Sequence, residues 1–383
     1  MKKVIEASMA VAIAAKLAKP GVIPLYPITP QTHIVERLAD FVNNGELNSE
    51  IIHCESEHSA MSAAIGSEAA GTRTFTATAS QGMALMHEVV FIAAGMRLPI
   101  VMAVANRTLS APINIWNDHQ DSISERDSGW LQLFVESAQE CLDTTLQAFR
   151  IGEDRNVQLP VMVCLDGFTL SHVHEPVEIP EQKEADRFLP AYAPETILDP
   201  AKPVSFGPIG APDVFMHFKQ EQQKAIENSL SVIIKANKEF KARFGRSYGN
   251  GLVEPYKLAD ADYAFVAMGS ICGTARVAID NLRKHGKKIG LLKIRSFRPF
   301  PRDDIIKALS GKKGVAVFDR DISLGMEGAL LTEIKATLCV EKKMPAVKGF
   351  IVGLGGRDVT EKHFIAALNA LTAKTGNETE WLF

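Results

Sequence analysis

Cysteine is scarce in this sequence of 383 residues, and its five cysteines are scattered along the chain: Cys54, Cys141, Cys164, Cys272 and Cys339. No CxxC pair occurs, so we expect neither an iron–sulfur cluster nor a structural zinc on this chain. Single cysteines in apolar surroundings are typical of reduced, buried positions in cytoplasmic proteins. The cysteine pattern therefore predicts a cytoplasmic chain with no metal site of its own.

The sequence also lacks an excess of one charge and a long apolar run. Its 42 basic residues nearly balance its 45 acidic residues, and no basic patch indicates a nucleic-acid partner. No apolar run reaches the roughly 18 residues of a membrane span. Residues 1–21 have the basic start and apolar middle of a weak signal peptide. However, Glu6, Lys16 and Lys19 interrupt the apolar part at helical spacing, which favours an amphipathic core helix instead.

Strand and helix patterns alternate from residue 22 to 165 and again from 263 to 371. This alternation predicts an α/β protein, with a parallel sheet flanked by helices and a second, smaller α/β domain. We expect the domains to span residues 1–250 and 251–383. The first would include a proline-rich meander without regular structure over residues 171–212, and a long polar helix over 213–244.

Four strand ends in the first domain carry polar residues. Thr29 stands in a turn made rigid by Pro27 and Pro30, and the other three ends carry the runs Glu55-Ser56-Glu57-His58, Ser80-Gln81-Gly82 and Asn106-Arg107. Ligands of parallel sheets sit at the carboxyl ends of the strands. We therefore expect these four segments to meet at one rim.

Each of these signals has a functional and a purely structural interpretation. Glu57 is either a carboxylate favoured by a helix N-terminus or a partly buried acid that can donate or share a proton. Arg107 has a planar guanidinium that can bind a carboxylate at two points. It lies near the start of a long loop over residues 105–129, which is either functional or merely a solvated connection. Ser80-Gln81-Gly82 offers backbone N–H groups at a helix start as a generic seat for an anion or cofactor.

Three further motifs are interpreted as structural rather than functional. The segments 268–273 and 353–356 are rich in glycine but lack the full spacing of a nucleotide loop, so we interpret them as tight turns. Leu165-Asp166-Gly167 has no suitably spaced partner that would complete a magnesium site.

Several longer motifs together resemble the alpha subunit of the 2-oxoacid:ferredoxin oxidoreductase family, as found in pyruvate:ferredoxin oxidoreductases. In the first domain they are YPITP, ESEHSAMSAAIGSEAAG, TATASQGMALMHE, GMRLPIVMAVANR and LSAPINIWNDHQD, and in the second ADYAFVAMGS, KIRSFRPFP and VFDRDISLGMEG. The resemblance covers the first domain almost continuously and is less distinctive in the second.

The resemblance implies the pyrimidine-binding domain of a thiamine diphosphate enzyme followed by a transketolase C-terminal-like domain. Thiamine diphosphate would be shared with a beta subunit that holds its diphosphate and magnesium. The complex would also contain gamma- and delta-type subunits, and iron–sulfur clusters on partner subunits would reduce ferredoxin. The complex would decarboxylate pyruvate and pass the acyl group to coenzyme A.

The same resemblance assigns roles to individual residues. Glu57 falls on the glutamate that contacts the aminopyrimidine ring of the cofactor. From their place at a helix start, we expect Ser80, Gln81 and Gly82 to bind the cofactor as well. Thr29 and Arg107 fall on residues that bind the substrate carboxylate.

Three alternatives remain open at this point. The same complex could act on branched-chain 2-oxoacids, the chain could be a non-catalytic scaffold subunit, or it could be a self-contained transketolase-like enzyme. The last is disfavoured by the missing diphosphate–magnesium motif.

Overall fold

Strands and helices alternate along the chain in the computed structural model, which describes residues 1–340, 344–373 and 379–383. The first part contains β1 (Lys2–Glu6), α1 (Ala7–Ala18), β2 (Val22–Leu25), α2 (Thr32–Asn43), β3 (Glu50–His53), α3 (Glu57–Ala69), β4 (Phe75–Thr78), α4 (Ser80–Gly95), β5 (Val101–Asn106), α5 (Gln120–Ser124), β6 (Leu131–Phe134), α6 (Ala138–Gly152), β7 (Val161–Asp166), β8 (His174–Glu178), α7 (Gln182–Phe188) and α8 (Pro212–Phe244). The second part contains β9 (Val253–Tyr256), β10 (Tyr263–Ala267), α9 (Ile271–Lys284), β11 (Ile289–Ile294), β12 (Ser296–Arg298), α10 (Arg302–Leu309), β13 (Gly314–Asp319), α11 (Ala329–Leu338), β14 (Ala346–Val352), a 3-10 turn (Leu354–Gly356), α12 (Glu361–Ala373) and β15 (Thr379–Leu382).

The first part is built around a five-stranded sheet with the order β12-β6-β7-β5-β4. Strands β4, β5, β7 and β6 run parallel, whereas β12 runs antiparallel to β6. A second parallel pair, β2 and β3, is linked to the start of β4 by a bridge between Val22 and Thr74. Every residue of β5 and β7 is buried, as expected for parallel strands that helices cover on both faces.

The first helix of the chain is a core helix, as its residue pattern predicts. Ten of the twelve residues of α1 are buried, and most of them are alanines that allow close packing against α6 and α2. Lys19 ends the helix in a left-handed conformation, just before Pro20 and Gly21.

The second part has its own sheet, with the order β15-β14-β13-β10-β11-β9. All its neighbouring strands run parallel except β9, which is antiparallel to β11 at one edge. Phe265, Phe318 and Phe364 pack ring against ring between this sheet and its helices, with centroids 4.5–5.5 Å apart. Aromatic packing of this kind gives the second part a hydrophobic core of its own.

One strand crosses from the second part into the sheet of the first. β12 follows β11 after a single residue and pairs with β6, so that Ser296 faces Leu133. The boundary predicted at residues 250 and 251 stays a prediction, because this strand belongs to the second part by sequence and to the first by pairing.

A buried charge network also joins the two parts. Glu140, on the first turn of α6, accepts hydrogen bonds from Lys293 Nζ at 2.6 Å and from Arg295 Nε at 3.0 Å. All three side chains are fully buried. Burial alone would raise the pKa of Glu140, but the two cations hold it below its usual range.

The segment predicted as an irregular meander contains regular structure. The prediction over residues 171–212 was wrong for β8, which pairs antiparallel with β1, and for α7. The prolines at 176, 180 and 190 fall within β8 or outside these two elements, so they do not interrupt α7. Beyond α7, residues 189–211 form no helix, and a single isolated bridge joins Asp199 to Lys202.

The cysteines are less uniformly buried than their surroundings predict. Cys141, Cys164 and Cys272 are buried, but Cys54 is half-buried and Cys339 is exposed. Among the described residues, no group of three or more His, Cys, Asp or Glu side chains could hold a metal ion. No helix in that part of the chain is both long and apolar enough to span a membrane.

Candidate active site

The carboxyl ends of the parallel strands carry the polar segments that the sequence singles out. The turn after β2 holds Thr29, α3 begins directly after β3 and α4 directly after β4, while Arg107 follows β5. Arg107 Nη1 donates a hydrogen bond to the backbone oxygen of Thr29 at 3.0 Å, across 78 residues of sequence. Gly82 lies against Glu57. The structure therefore brings the four segments to one rim, as predicted.

Glu57 is a buried acid at the N-terminal turn of α3. Ser56 caps that helix by accepting a hydrogen bond from Ser59 N at 3.2 Å, which sets the direction of the first turn. The Glu57 side chain is 6% exposed and has no hydrogen-bond donor in the described part of the chain. A largely buried carboxyl with no donor from the described chain keeps its acceptor capacity for a ligand.

Gly82 leaves the space that Glu57 occupies. A methyl group at Gly82 would lie 2.6 Å from Glu57 Oε1 and 2.6 Å from Thr78 Oγ1. The Thr78 hydroxyl is buried and also lacks a hydrogen-bond partner among the described residues. A carboxylate and a hydroxyl thus flank one narrow corner, and both have unused hydrogen-bonding capacity.

Arg107 carries a positive charge that no carboxylate neutralises by contact. Its Nε donates to the backbone oxygen of Asn114 at 3.1 Å and its Nη1 to that of Thr29, so its recorded acceptors in the described residues are carbonyl groups. The side chain is 9% exposed, and this burial lowers the pKa of Arg107. Because the guanidinium has five donors, it retains capacity for an anion. The side chain of Thr29 is exposed beside it.

Asp121 ties the rim segments together, a contact that sequence reasoning missed. Its Oδ2 accepts from Ser80 N at 2.8 Å and from Arg107 N at 2.9 Å, and its Oδ1 accepts from Asn106 Nδ2 at 2.7 Å and from Ser122 N at 2.7 Å. Asp121 is fully buried. It lies inside a motif quoted above, but its partner Ser80 is 41 residues distant, so no local pattern pointed to it.

The Ser80-Gln81-Gly82 turn differs from the open seat that the sequence suggested. Ser80 N is occupied by Asp121, and Gly82 N donates to Ala79 O at 2.9 Å. The Ser80 hydroxyl is bonded to Thr108 O. Two of the three N–H groups are therefore used inside the chain, and the contribution of Gly82 is the room it leaves for Glu57.

A second missed residue fixes the turn that holds Thr29. Gln31 is fully buried, and its Nε2 donates to Tyr26 O at 3.1 Å and to Ala77 O at 2.8 Å. These bonds fasten the proline turn to β4. The buried glutamine at the start of α2 offered no sequence signal beyond its place after Pro30.

The loop over residues 105–129 is solvated only in part: residues 110–116 are mostly exposed, whereas the stretch around His119 packs against the second part of the chain. His119 is buried and its Nε2 lies 2.8 Å from Asp166 Oδ1, while Arg320 contacts the other oxygen of Asp166 at 2.8 Å. Burial would raise the pKa of Asp166, but Arg320 and His119 hold it below its usual range. Gly269 permits the contact, because a methyl there would lie 3.0 Å from both Asp166 and His119.

Comparison with protein families matches both parts of the chain. Residues 13–238 match the pyruvate flavodoxin/ferredoxin oxidoreductase, thiamine diphosphate-binding family. Residues 261–364 match core domain II of pyruvate:ferredoxin oxidoreductase.

Curated relatives are similar over nearly the whole chain. Pyruvate synthase subunit PorA of Methanothermobacter thermautotrophicus is 57% identical over 94% of this chain and 93% of its own length. The subunit of the same name from Methanocaldococcus jannaschii is 55% identical over 99% and 97%. Ketoisovalerate oxidoreductase subunit VorA of Pyrococcus horikoshii is 43% identical over 100% and 98%.

Two solved structures share the fold at low identity. A 2-oxoglutarate:ferredoxin oxidoreductase from Magnetococcus marinus, with 2-oxoglutarate, coenzyme A and succinyl-CoA bound, superposes with a TM-score of 0.72 at 17% identity. The match covers 96% of this chain and 65% of that longer chain. An inactive tetramer of a split-gene transketolase gives a TM-score of 0.53 at 13% identity, over 96% of this chain and 98% of that one.

Proposed function

Because this chain belongs to the pyruvate:ferredoxin oxidoreductase family, we propose that it is the alpha-type subunit of a complex that converts pyruvate and coenzyme A into acetyl-CoA and CO2 while reducing ferredoxin. Both the family resemblance and the α/β fold class expected from the sequence are confirmed. The observation that carries the proposal is the meeting of a buried acid, Glu57, and a cation whose side chain makes no ion pair with the described residues, Arg107, at one rim of a thiamine diphosphate-binding domain.

The corner formed by Glu57, Thr78 and Gly82 fits the aminopyrimidine of thiamine diphosphate. The ring and its amino group present both donors and acceptors, which suit a carboxyl and a hydroxyl that have no partners within the described chain. When bound, the cofactor supplies the carbon nucleophile and electron sink that decarboxylation of a 2-oxoacid requires. Glu57 holds or moves a proton at its carboxylate, and the absent side chain of Gly82 lets that carboxylate approach.

Arg107 and Thr29 orient the substrate. The guanidinium of Arg107 pairs with the carboxylate of the 2-oxoacid, and its bond to Thr29 O fixes the fork toward the proline turn. The Thr29 hydroxyl adds a neutral donor at the same place. A neutral donor suits a monocarboxylic substrate, whereas a second carboxylate would call for a second cation.

The remaining parts of the machine would lie on other chains. The diphosphate and its magnesium would bind a beta subunit, the complex would also contain gamma- and delta-type subunits, and iron–sulfur clusters on partner subunits would pass electrons to ferredoxin. The whole complex would work in the cytoplasm. The subunit designation of the curated relatives supports an assembly of several chains.

The same complex acting on branched-chain 2-oxoacids is the second candidate. The ketoisovalerate relative aligns along the entire chain, so the architecture alone does not select pyruvate. Its identity is lower than that of the two pyruvate synthase relatives, which favours pyruvate.

Substrate-dependent dye reduction tests the proposal. The complex would be purified without oxygen through a tag on this chain, and viologen reduction would be compared with pyruvate, 2-oxoisovalerate and 2-oxoglutarate in the presence of coenzyme A. We expect a preference for pyruvate. A preference for 2-oxoisovalerate would establish the second candidate, and no reduction with any 2-oxoacid by a complex with all its subunits would refute both.

A further inference from the structure

We propose that Asp121 is the positioning residue of this site: its buried carboxylate fixes Arg107 and the turn that begins α4 relative to each other, and thereby sets the affinity for the 2-oxoacid. This inference rests on the function proposed above and extends it to a residue that would touch neither substrate nor cofactor.

The bonding pattern of Asp121 is concentrated on the rim. One oxygen accepts from the backbone N–H groups of Ser80 and Arg107, at 2.8 and 2.9 Å, although these residues follow different strands. The other oxygen accepts from Asn106 and Ser122, at 2.7 Å each. A single side chain thus holds the first residue of α4, the last residue of β5 and the residue that carries the guanidinium.

All four partners are donors, so the position calls for a carboxylate. An ionised carboxyl has acceptors on both oxygens, whereas an asparagine would turn an NH2 group toward two of these donors. The conflict would fall either on Ser80 and Arg107 or on Asn106 and Ser122. The first outcome acts directly on the backbone N–H of Arg107, and the second acts on the side chain of Asn106, the residue before it.

The loop that supplies Asp121 is itself anchored, so the carboxylate has a fixed origin. The neighbouring His119 bonds to Asp166, and His119 N donates to Arg320 O at 2.8 Å. Strain at Asp121 is therefore passed to the rim rather than absorbed by movement of its own loop. A small displacement at a site that positions a carboxylate is enough to weaken binding.

The test is the binding of oxamate, an unreactive mimic of pyruvate, to the complete wild-type and Asp121→Asn complexes, measured by calorimetry. We expect the oxamate Kd to rise at least tenfold, about 1.4 kcal/mol, with the pyruvate KM rising more than kcat falls. In an Arg107→Ala background, Asp121→Asn should add little to the Kd, because the two changes remove the same interaction.

Asp143→Asn is the matched control. Asp143 is also a fully buried aspartate of the first part, but it bonds to Arg246 and Tyr248, outside the rim. It should lower the melting temperature without changing the oxamate Kd. If the Asp121→Asn complex does not assemble, Asn106→Ala offers a milder change, because it removes only one of the four donors to Asp121. It should raise the oxamate Kd as well.

The behaviour of the wild-type complex shows whether a negative result concerns only the role of Asp121 or the proposed function as a whole. Normal wild-type binding and turnover, together with an unchanged oxamate Kd in Asp121→Asn or Asn106→Ala, would overturn this inference alone. A wild-type complex that neither binds oxamate nor turns over any 2-oxoacid would overturn the proposed function as well.

Discussion

Removing the Glu140 carboxylate should destabilise the junction between the two parts of the chain. Glu140→Gln keeps the size of the side chain but leaves Lys293 and Arg295, both fully buried, without their shared anion. Breaking a buried pair from one side costs roughly 3–5 kcal/mol, because the remaining charge stays out of water. Lys293 keeps Glu136 at 3.1 Å and Glu254 at 3.7 Å, so we expect the lower end of that range, about 3 kcal/mol.

Thermal unfolding of the purified chain measures this loss. For units of 150–250 residues 1 kcal/mol corresponds to roughly 2–4 °C, and the shift is smaller for larger units, so Glu140→Gln should lower the melting temperature of the chain by up to about 6–12 °C. Because Glu140 has a depressed pKa in the folded chain, its contribution is present at neutral pH and is lost as the pH falls through that folded pKa. The difference between wild type and variant should therefore shrink in acid.

The control for this prediction is an exposed ion pair. Glu184 lies on the surface with Arg187 and Arg243, and such pairs contribute about 0–1 kcal/mol. Glu184→Gln should shift the melting temperature far less than Glu140→Gln. Equal shifts in the two variants would refute the reasoning that burial of the unpaired cations sets the cost.

Three further changes are informative. In the assembled complex, Glu57→Gln should lower dye reduction by on the order of 10²-fold or more, as expected for a positioned acid–base group; near wild-type turnover would favour a scaffold role. Thr29→Arg should abolish turnover of pyruvate, and unaltered turnover would contradict the assignment of Thr29 to the substrate. Burial raises the pKa of Glu68 to about 8, so its stabilising effect is full below about 4.5 and is lost as the pH rises through 8. The melting temperature of Glu68→Gln should therefore rise relative to that of the wild type as the pH increases from about 4.5 to 8. A difference in melting temperature that stays constant across this range would contradict the prediction.

The fold was largely predictable because its inner strands carry a simple signal. β5 and β7 are unbroken buried runs bordered by turn residues, and both were predicted to within two residues. β1 and β8 were missed because they lack such a buried apolar run. Lys2, Lys3 and Val4 are exposed, and the partner strand lies about 170 residues away, so neither alternation nor proximity indicates the pair.

The candidate site was predictable in its outline but not in its bonding. Strand ends of a parallel sheet must share a rim, which brought Glu57 and Arg107 to the same place in the prediction. Hydrogen bonds between distant loops follow from tertiary geometry instead. Asp121 therefore emerged only with the structure, as did the unpartnered Thr78 hydroxyl beside Gly82.

The crossing strand β12 constrains the order in which this chain can be completed. During synthesis the other four strands of the five-stranded sheet leave the ribosome well before β12, which ends at Arg298. The edge of β6 therefore stays unpaired until β12 has been made. If the gene were divided at residue 250, β6 would stay unpaired in the amino-terminal fragment. In the carboxyl-terminal fragment, β12 would lack the sheet with which it pairs. We therefore expect that separating the two parts would leave each with an incomplete sheet interface, although they match different sequence families.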